Sequence, residues 1–326
     1  VNTCGFIEDA KTESIEHIFE MVNVKNESES EKKLVVTGCL SQRYHAELKD
    51  EIPEVDIFFG VNEYESMSDI ILGDNADKDE VGETEDDLKY RERTLPEGEY
   101  SAVLKIAEGC NNACTFCAIP SIRGKYRSKK FEDCIREAQD LADAGIKELV
   151  VIAQDTSQYG RDLYGKLRLP ELLTELCKID GIEWIRLMYV YDNGITDELI
   201  DVIANEPKIC KYIDIPIQHV ADNVLNRMKR QSSKKSIIAC INKLRERIPE
   251  IHIRTTLLVG FPGETEEDVA ELLDFIDTMK IDRLGAFAFS EEEGTASFDM
   301  DGKLPEEVKQ ARRDMVMEHQ CAVSEA

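Results

Sequence analysis

The sequence predicts an α/β protein: a smaller N-terminal α/β domain over residues 1–73, an acidic linker over 74–99, and a barrel or partial barrel of parallel strands over 100–326. Three observations predict it. From residue 101 onward, short apolar runs alternate with amphipathic helical stretches, the pattern of a parallel sheet covered on both sides by crossover helices. Six such strand–helix units in about 220 residues suit a barrel or partial barrel better than an open sheet. Between this region and a shorter α/β pattern ahead of it, residues 73–99 hold eleven Asp and Glu and almost no apolar periodicity. Such a segment buries too little surface to offset its ordering entropy, so its acidity reads as solvation rather than as a binding site.

In the N-terminal region Ile15, Ile18, Phe19 and Val22 recur at helical spacing, with Thr12 or Ser14 as candidate cap. Lys25 to Lys33 is polar and reads as a loop. Leu34 to Gly38 and Ile57 to Gly60 are short buried strands, and Glu63 to Leu72 a closing helix. The opening residues, Val1 to Gly5, read as the end of a strand already under way. They carry no charged n-region or apolar h-region, so no signal peptide is expected and an N-terminal portion is expected to be missing.

In the C-terminal region the strands are Ala102–Ile106, Glu148–Ala153, Trp184–Tyr189, Tyr212–Pro216, Ile253–Val259 and Leu284–Phe289. The helices between them are Phe131–Ala144, Pro170–Cys177, Thr196–Asn205, Ser232–Arg247 and Thr265–Met279, followed by a last one over Pro305–His319. In such folds ligands lie beyond the carboxyl ends of the strands.

Composition narrows the function. The 326 residues carry 40 Lys and Arg against 67 Asp and Glu, a net charge of −27. That balance opposes a chain whose task is to grip a phosphate backbone and suits one that docks a basic partner. No run approaches the length of a membrane span. Ten cysteines without a secretory context read as thiols, metal ligands or catalytic groups of a cytoplasmic protein, not as a disulfide framework.

Three of the ten fall within eight residues, Cys110-Asn111-Asn112-Ala113-Cys114-Thr115-Phe116-Cys117, directly after the first barrel strand. No fourth cysteine follows until Cys134, inside a predicted helix, so a four-thiolate site is not completed locally. Three thiolates on a 4Fe–4S cluster leave one iron open for a substrate or cofactor. A zinc site completed from elsewhere is the competing reading.

The Cys-x3-Cys-x2-Cys spacing, with Phe116 before the third cysteine, resembles the radical S-adenosylmethionine (SAM) enzymes. In that family the open iron chelates SAM, and an electron from the cluster cleaves it to a 5′-deoxyadenosyl radical. Asn2-Thr3-Cys4-Gly5-Phe6 and Thr37-Gly38-Cys39-Leu40 further resemble the Rossmann-like N-terminal domain of the methylthiotransferases within that family. The resemblance implies that Cys4 and Cys39 hold an auxiliary 4Fe–4S cluster together with a third cysteine that lies upstream of Val1. Leu104 to Cys110, Ile119 to Ser128, Gln154 to Gly160 and Asp214 to Val220 look like the branch that modifies an aspartate of small-subunit ribosomal protein S-twelve. The tRNA-modifying branches typically carry Gln-Asn-Val in place of Gln154-Asp155-Thr156.

The resemblance therefore implies two 4Fe–4S clusters and SAM as cofactors, a basic ribosomal protein as substrate, and an electron donor such as flavodoxin or ferredoxin. Nucleic acid is not expected as the primary substrate. Cys110, Cys114 and Cys117 hold the reactive cluster; Phe116, Gln154, Asp155, Gln218, Gly260 and Gly263 are the candidate SAM contacts. The family's C-terminal β-barrel (the TRAM domain) is expected to be absent, the chain stopping after its last helix. A tRNA adenosine methylthiotransferase and a non-catalytic iron–sulfur or zinc protein are the alternative readings.

Several residues keep a second reading. Thr265 with Asp268 resembles a capping box, so Gly260 to Thr265 serves equally as a structural turn. Gln154, Asp155 and Gln218 serve equally as satisfied polar strand ends, and His219 reads either as a proton-transfer group or as a packed, hydrogen-bonded histidine. Arg123, Lys125, Arg127, Lys129 and Lys130 form either a solvated loop and helix start or a contact with substrate or with a carboxylate at the site mouth. Cys134, Cys177, Cys210, Cys240 and Cys321 read as bystanders, and Trp184 as packing.

Overall fold

The computed structural model describes residues 1–61, 63, 67–72, 79, 81–82, 88–90, 92–96 and 98–325. The N-terminal unit runs β1 (Asn2–Thr3), α1 (Glu8–Asn26), β2 (Val35–Gly38), α2 (Cys39–Glu51), β3 (Ile57–Phe58) and α3 (Met67–Leu72). Its strands pair in parallel in the order β1-β2-β3. Ile18, Val22, Leu34, Val36, Leu40, Leu48 and Phe58 form its core. Phe19, grouped with the buried face by spacing, is 48% exposed instead. Neither Thr12 nor Ser14 caps α1: Ile7 stands at the N-cap position without a side-chain bond, while Ser14 lies inside the helix and exchanges hydrogen bonds with the Cys4 backbone. Helix α2 was not foreseen. Its sequence is mostly polar, and only a few of its residues, Cys39 to Ser41 and Leu48, are buried.

The segment read as a linker lies largely outside the described residues. Its described parts are docked on the fold. Asp79 accepts from the Phe58 N–H (2.9 Å), Arg93 pairs with Glu137 (3.2 Å), the Arg136 guanidinium stacks on Tyr90 (4.1 Å), and Leu95 packs on the barrel core.

The C-terminal unit follows the strand–helix alternation. It comprises β4 (Ser101–Lys105), β5 (Ala107–Glu108), α4 (Ile119–Arg123), β6 (Arg127–Ser128), α5 (Phe131–Asp143), β7 (Glu148–Ile152), α6 (Arg161–Tyr164), α7 (Leu169–Cys177), β8 (Trp184–Leu187) and α8 (Asp197–Asn205). It continues with β9 (Ile209–Asp214), α9 (Asp222–Arg227), α10 (Lys234–Arg247), β10 (His252–Val259), α11 (Glu266–Met279), β11 (Arg283–Ala288) and α12 (Glu306–Glu325). The main sheet is parallel throughout, in the order β11-β10-β9-β8-β7-β4. Its edge strands β4 and β11 do not pair with each other, so the sheet is a partial barrel. The short β5 and β6, too brief to show periodicity, pair antiparallel beyond the end of β4.

Among the described residues the sheet is not covered on both sides. Residues of one parity (Leu104, Leu149, Val151, Ile185, Leu187, Ile213, Ile253, Leu257) are buried in a core shared with the helices. The opposite parity carries the ion pairs Glu148–Arg186 (2.8 Å) and Asp214–Arg254 (2.9 Å), with Val103, Trp184 and Phe287 42%, 51% and 56% exposed. Trp184 is therefore not a packing residue. Six strands curl without closing, so the inner face lacks the interleaved side-chain layers that fill an eight-stranded barrel.

Helix α11 begins with the capping box read from the sequence. The Asp268 N–H donates to the Thr265 hydroxyl (3.3 Å), and the Asp268 carboxylate accepts from the Thr265 N–H (2.9 Å). Thr265→Ala is expected to destabilise the barrel by about 1 kcal/mol, read as a lower urea midpoint. An unchanged midpoint would show that the cap contributes nothing.

Candidate active site

The three clustered cysteines sit on the loop that joins β5 to α4, beyond the carboxyl end of β4. Gly109 opens this loop at φ +76°, and a Cβ there would lie 2.2 Å from the Lys125 carbonyl oxygen, so only glycine fits. The backbone is pinned on two sides. The Cys110 N–H donates to Gly124 O (3.2 Å), and the Tyr126 N–H to the Asn111 side chain (3.0 Å). The Thr115 N–H donates to Met228 O (3.1 Å), and Thr115 O accepts from the Ser297 N–H (2.9 Å). Cys110 and Cys114 are buried and Cys117 half-buried. Burial pushes the Cys110 thiol up and the Cys117 thiol up to about 12. All ten cysteines are free thiols.

Three side chains that the sequence reading did not single out face these thiols, and a fourth anchors the stem of their loop. The Asn112 amide donates to Cys110 Sγ (3.4 Å) and to the Asp155 carboxylate (2.9 Å). The Tyr191 hydroxyl lies 3.9 Å from Cys114 Sγ. The Arg230 guanidinium is buried, stacks on the Tyr191 ring (4.1 Å), donates to Pro216 O (2.9 Å) and approaches Cys114 Sγ at 3.8 Å, while its Nε has no partner. Arg230 follows Lys229, which adopts φ +53° and turns the chain out of α9; nothing in the local sequence announces that turn. The fourth, Glu108, is 1% exposed and binds Lys105 Nζ (2.5 Å), Arg123 Nη1 (2.8 Å) and Gln154 Nε2 (2.8 Å). Burial opposes its charge, but Lys105 and Arg123 outweigh it and hold the carboxyl down at about 2. A lone Glu in an otherwise apolar strand end was the signal available.

The predicted cofactor contacts divide. Gln154 holds Glu108 through its nitrogen, and its buried Oε1 has no partner, leaving an acceptor at the site. Asp155 accepts from Asn112 and from the Ser157 N–H (3.2 Å), capping the turn that follows β7. Gln218 adopts φ +70°, with its N–H bonded to Thr256 O (2.9 Å) and its O to the Leu258 N–H (2.7 Å). Tyr189 at the end of β8 is also left-handed, φ +56°. Non-glycine residues in this region carry strain that their surroundings must hold. Phe116 lies edge-on to Phe261 (6.5 Å), which meets Phe289 (5.1 Å), so the cysteine loop packs on the Gly260–Gly263 loop.

Both glycines of that loop are left-handed, and α12 and α9 close over them. A Cβ on Gly260 would meet Lys309 at 2.6 Å, and one on Gly263 would meet Arg227 at 2.8 Å. Beneath lies a buried network. Glu264 accepts from the Gly260 N–H with both oxygens (2.9 Å each) and from Arg312 (2.8 Å). His219 is fully buried, accepts from the Ala221 N–H at Nδ1 (3.0 Å) and faces Glu264 at 3.4 Å. It is a packed histidine.

The basic stretch is only partly solvated. Lys125 and Lys130 are exposed, Lys129 is buried against Glu137 (2.5 Å), and Arg123 bonds Glu108 and Cys39 Sγ (3.2 Å). Cys4 and Cys39 each stand one residue past the register pair Thr3–Gly38, at the carboxyl ends of adjacent parallel strands. Cys4 is exposed and Cys39 buried.

A profile of the Radical SAM superfamily matches residues 104–276, and one described as Uncharacterized protein family UPF0004 matches residues 1–60. A Clostridium tetani protein named ribosomal protein uS12 methylthiotransferase RimO is 50% identical across 98% of this chain and 72% of its own length. A Clostridioides difficile protein of the same name is 51% identical across 100% of this chain and 74% of its own length. The chain belongs to the uS12 methylthiotransferase family of radical SAM enzymes. Its fold is also that of the solved radical SAM methyltransferase TsrM from Kitasatospora setae (TM-score 0.66, 16% identity, 86% of this chain and 59% of that one). The radical SAM enzyme OxsB shares the fold as well (TM-score 0.58, 12% identity, 98% and 47%).

Family membership implies a 4Fe–4S cluster and SAM, and the donor set fits the cluster. The three thiols are soft ligands on one clamped loop, faced by a buried cation whose Nε is unpaired. Among the described residues no group of three or more His, Cys, Asp or Glu side chains is already gathered to hold a metal ion. No helix among them is long and apolar enough to cross a membrane.

Glu264→Ala in this methylthiotransferase leaves the Gly260 N–H without its acceptor and Arg312 with only the exposed Glu266 as its ionic partner. The expected cost is about 1–3 kcal/mol, as for a buried donor left without its acceptor. Glu264→Gln, whose amide oxygen still accepts, is expected to cost less. Denaturant midpoints check this, and an Ala variant as stable as the parent would refute the network.

Proposed function

We propose that this enzyme adds a methylthio group to the β-carbon of an aspartate of small-subunit ribosomal protein uS12. Cys110, Cys114 and Cys117 hold the reactive 4Fe–4S cluster, and Cys4 and Cys39 contribute to an auxiliary one. The observation that carries this reading is the roughly 50% identity to proteins of that name over nearly the whole chain. In this reading the enzyme works in the cytoplasm, where its substrate is made. It draws electrons from a small carrier of the flavodoxin or ferredoxin class, and nucleic acid is not its primary substrate.

When bound on three thiolates, such a cluster supplies an open iron for SAM and the electron that cleaves it to the radical that takes hydrogen from the substrate carbon. The chain's own residues prepare the place. The Asn112 amide orients Cys110, and Arg230 sets a fixed positive charge beside Cys114 without reorganisation during the reaction. Burial of Cys110 and Cys114 keeps water away from the reacting groups. The unpartnered Gln154 Oε1 offers an acceptor, Asp155 and the strained Gln218 line the same strand ends, and Gly260 to Gly263 with Phe116 present backbone and ring to the adenine.

Cys114→Ala in the full-length enzyme, reconstituted anaerobically, is expected to abolish 5′-deoxyadenosine formation. A strain lacking the enzyme is expected to lose the methylthio mass from uS12 while its tRNA is unchanged. A lost mass on tRNA with uS12 intact would overturn the assignment.

A further inference from the structure

We propose that Arg123 is a positioning residue that ties the sulfur of Cys39 to the three-cysteine loop and so fixes the chain's two cysteine sites against each other. This rests on the reading of Cys39 as a ligand of an auxiliary cluster.

Arg123 is the last residue of α4, the helix that starts two residues after Cys117. One arm of its guanidinium donates to Glu108, two residues before Cys110, at 2.8 Å. The other donates to Cys39 Sγ, in the N-terminal unit, at 3.2 Å. Lys105 and Gln154 hold the same carboxylate, so the arginine fork has a fixed base. The sulfur end is dry: Cys39 packs with Val61, Ala118 and Ile122, the last two belonging to the segment that follows Cys117.

A second attachment keeps α2 from pivoting. Arg43 lies one turn beyond Cys39 on the same helix face. It donates to the Gly5 carbonyl oxygen (2.9 Å) and to the buried Glu292 of the barrel unit (3.3 Å), which also pairs with Lys11 (3.1 Å). Glu292 thus holds the helix without touching the sulfur, and Arg123 holds the sulfur itself.

A hydrogen bond and a positive charge on a ligating thiolate favour the reduced, more negative state of the group it holds. Losing them lowers its midpoint potential. Lysine at 123 keeps the charge but cannot fork between two partners.

The test uses full-length enzyme in which Cys110, Cys114 and Cys117 are replaced by Ala, so that only an auxiliary cluster assembles on anaerobic reconstitution. Its midpoint is read by redox titration followed by electron paramagnetic resonance. Arg123→Gln is expected to lower the midpoint, Arg123→Lys to fall between it and the parent, and Glu292→Gln to leave it in place. An unshifted Arg123→Gln overturns the proposal, and so does an equal drop in Glu292→Gln, which would trace the effect to loosened docking. If Arg123→Gln does not fold, the comparison of Arg123→Lys with the parent decides in the same sense. Iron content after Cys39→Ala separates the premise from the proposal. Iron retained means that Cys39 is not a ligand and both fail. Iron lost with an unshifted Arg123→Gln means that the arginine proposal alone fails.

Discussion

Glu108 is a carboxylate with almost no access to water, and taking such a charge out of solvent costs several kcal/mol unless partners surround it. Lys105, Arg123 and Gln154 are those partners, and each comes from a different place: the end of β4, the end of α4 and the end of β7. The ionic node therefore closes the β4–β7 edge of the sheet onto both stems of the cysteine loop. Gly109 follows it directly with a backbone angle that only glycine takes comfortably. The loop's conformation is thus set from below by charge and from the sides by the backbone bonds of Cys110 and Thr115, before any metal contributes.

The opposite wall is built differently. Around the Gly260–Gly263 loop the order comes from Glu264, which gathers the Gly260 N–H and Arg312 in a buried site, and from the ring contacts of Phe116, Phe261 and Phe289. Polar pairing fixes the wall behind the cysteines, and apolar packing fixes how far the two loops stand apart. Gln218 and Tyr189, both left-handed without being glycine, lie at the strand ends between these walls. Their strain is sustained by sheet hydrogen bonds such as those from the Gln218 backbone to Thr256 and Leu258.

Most of the architecture was legible because it rests on periodicity. The six barrel strands and the five longer helices between them follow from apolar runs and amphipathic stretches, whereas the short α4, α6 and α9 gave no such signal, and Cys110 to Cys117 stood out by spacing alone. What the sequence hid depends on long-range pairing. Arg230 reaches Cys114 across 116 positions, and Arg123 reaches Cys39 across 84, neither marked by any local pattern. The open inner face was misread because an apolar strand looks the same whether its second side meets a helix or a half-filled barrel. Trp184 and Val103 are apolar yet exposed for that reason. Phe19 fell to the same ambiguity on a helix whose buried stripe is narrow.

Charge acts on two scales here. Over the whole surface the −27 balance repels polyanions and attracts a basic protein, an effect that reaches about 8 Å at physiological ionic strength. Inside, the sign reverses locally: Arg230 is buried against Cys114, and the partly buried Arg123 bonds Cys39. A site that gathers thiolates accumulates negative charge, and in a dry interior that charge needs fixed cations. The long-range field alone would oppose such gathering, so the two cations stand against the sulfurs themselves, Arg230 out of water and Arg123 largely so.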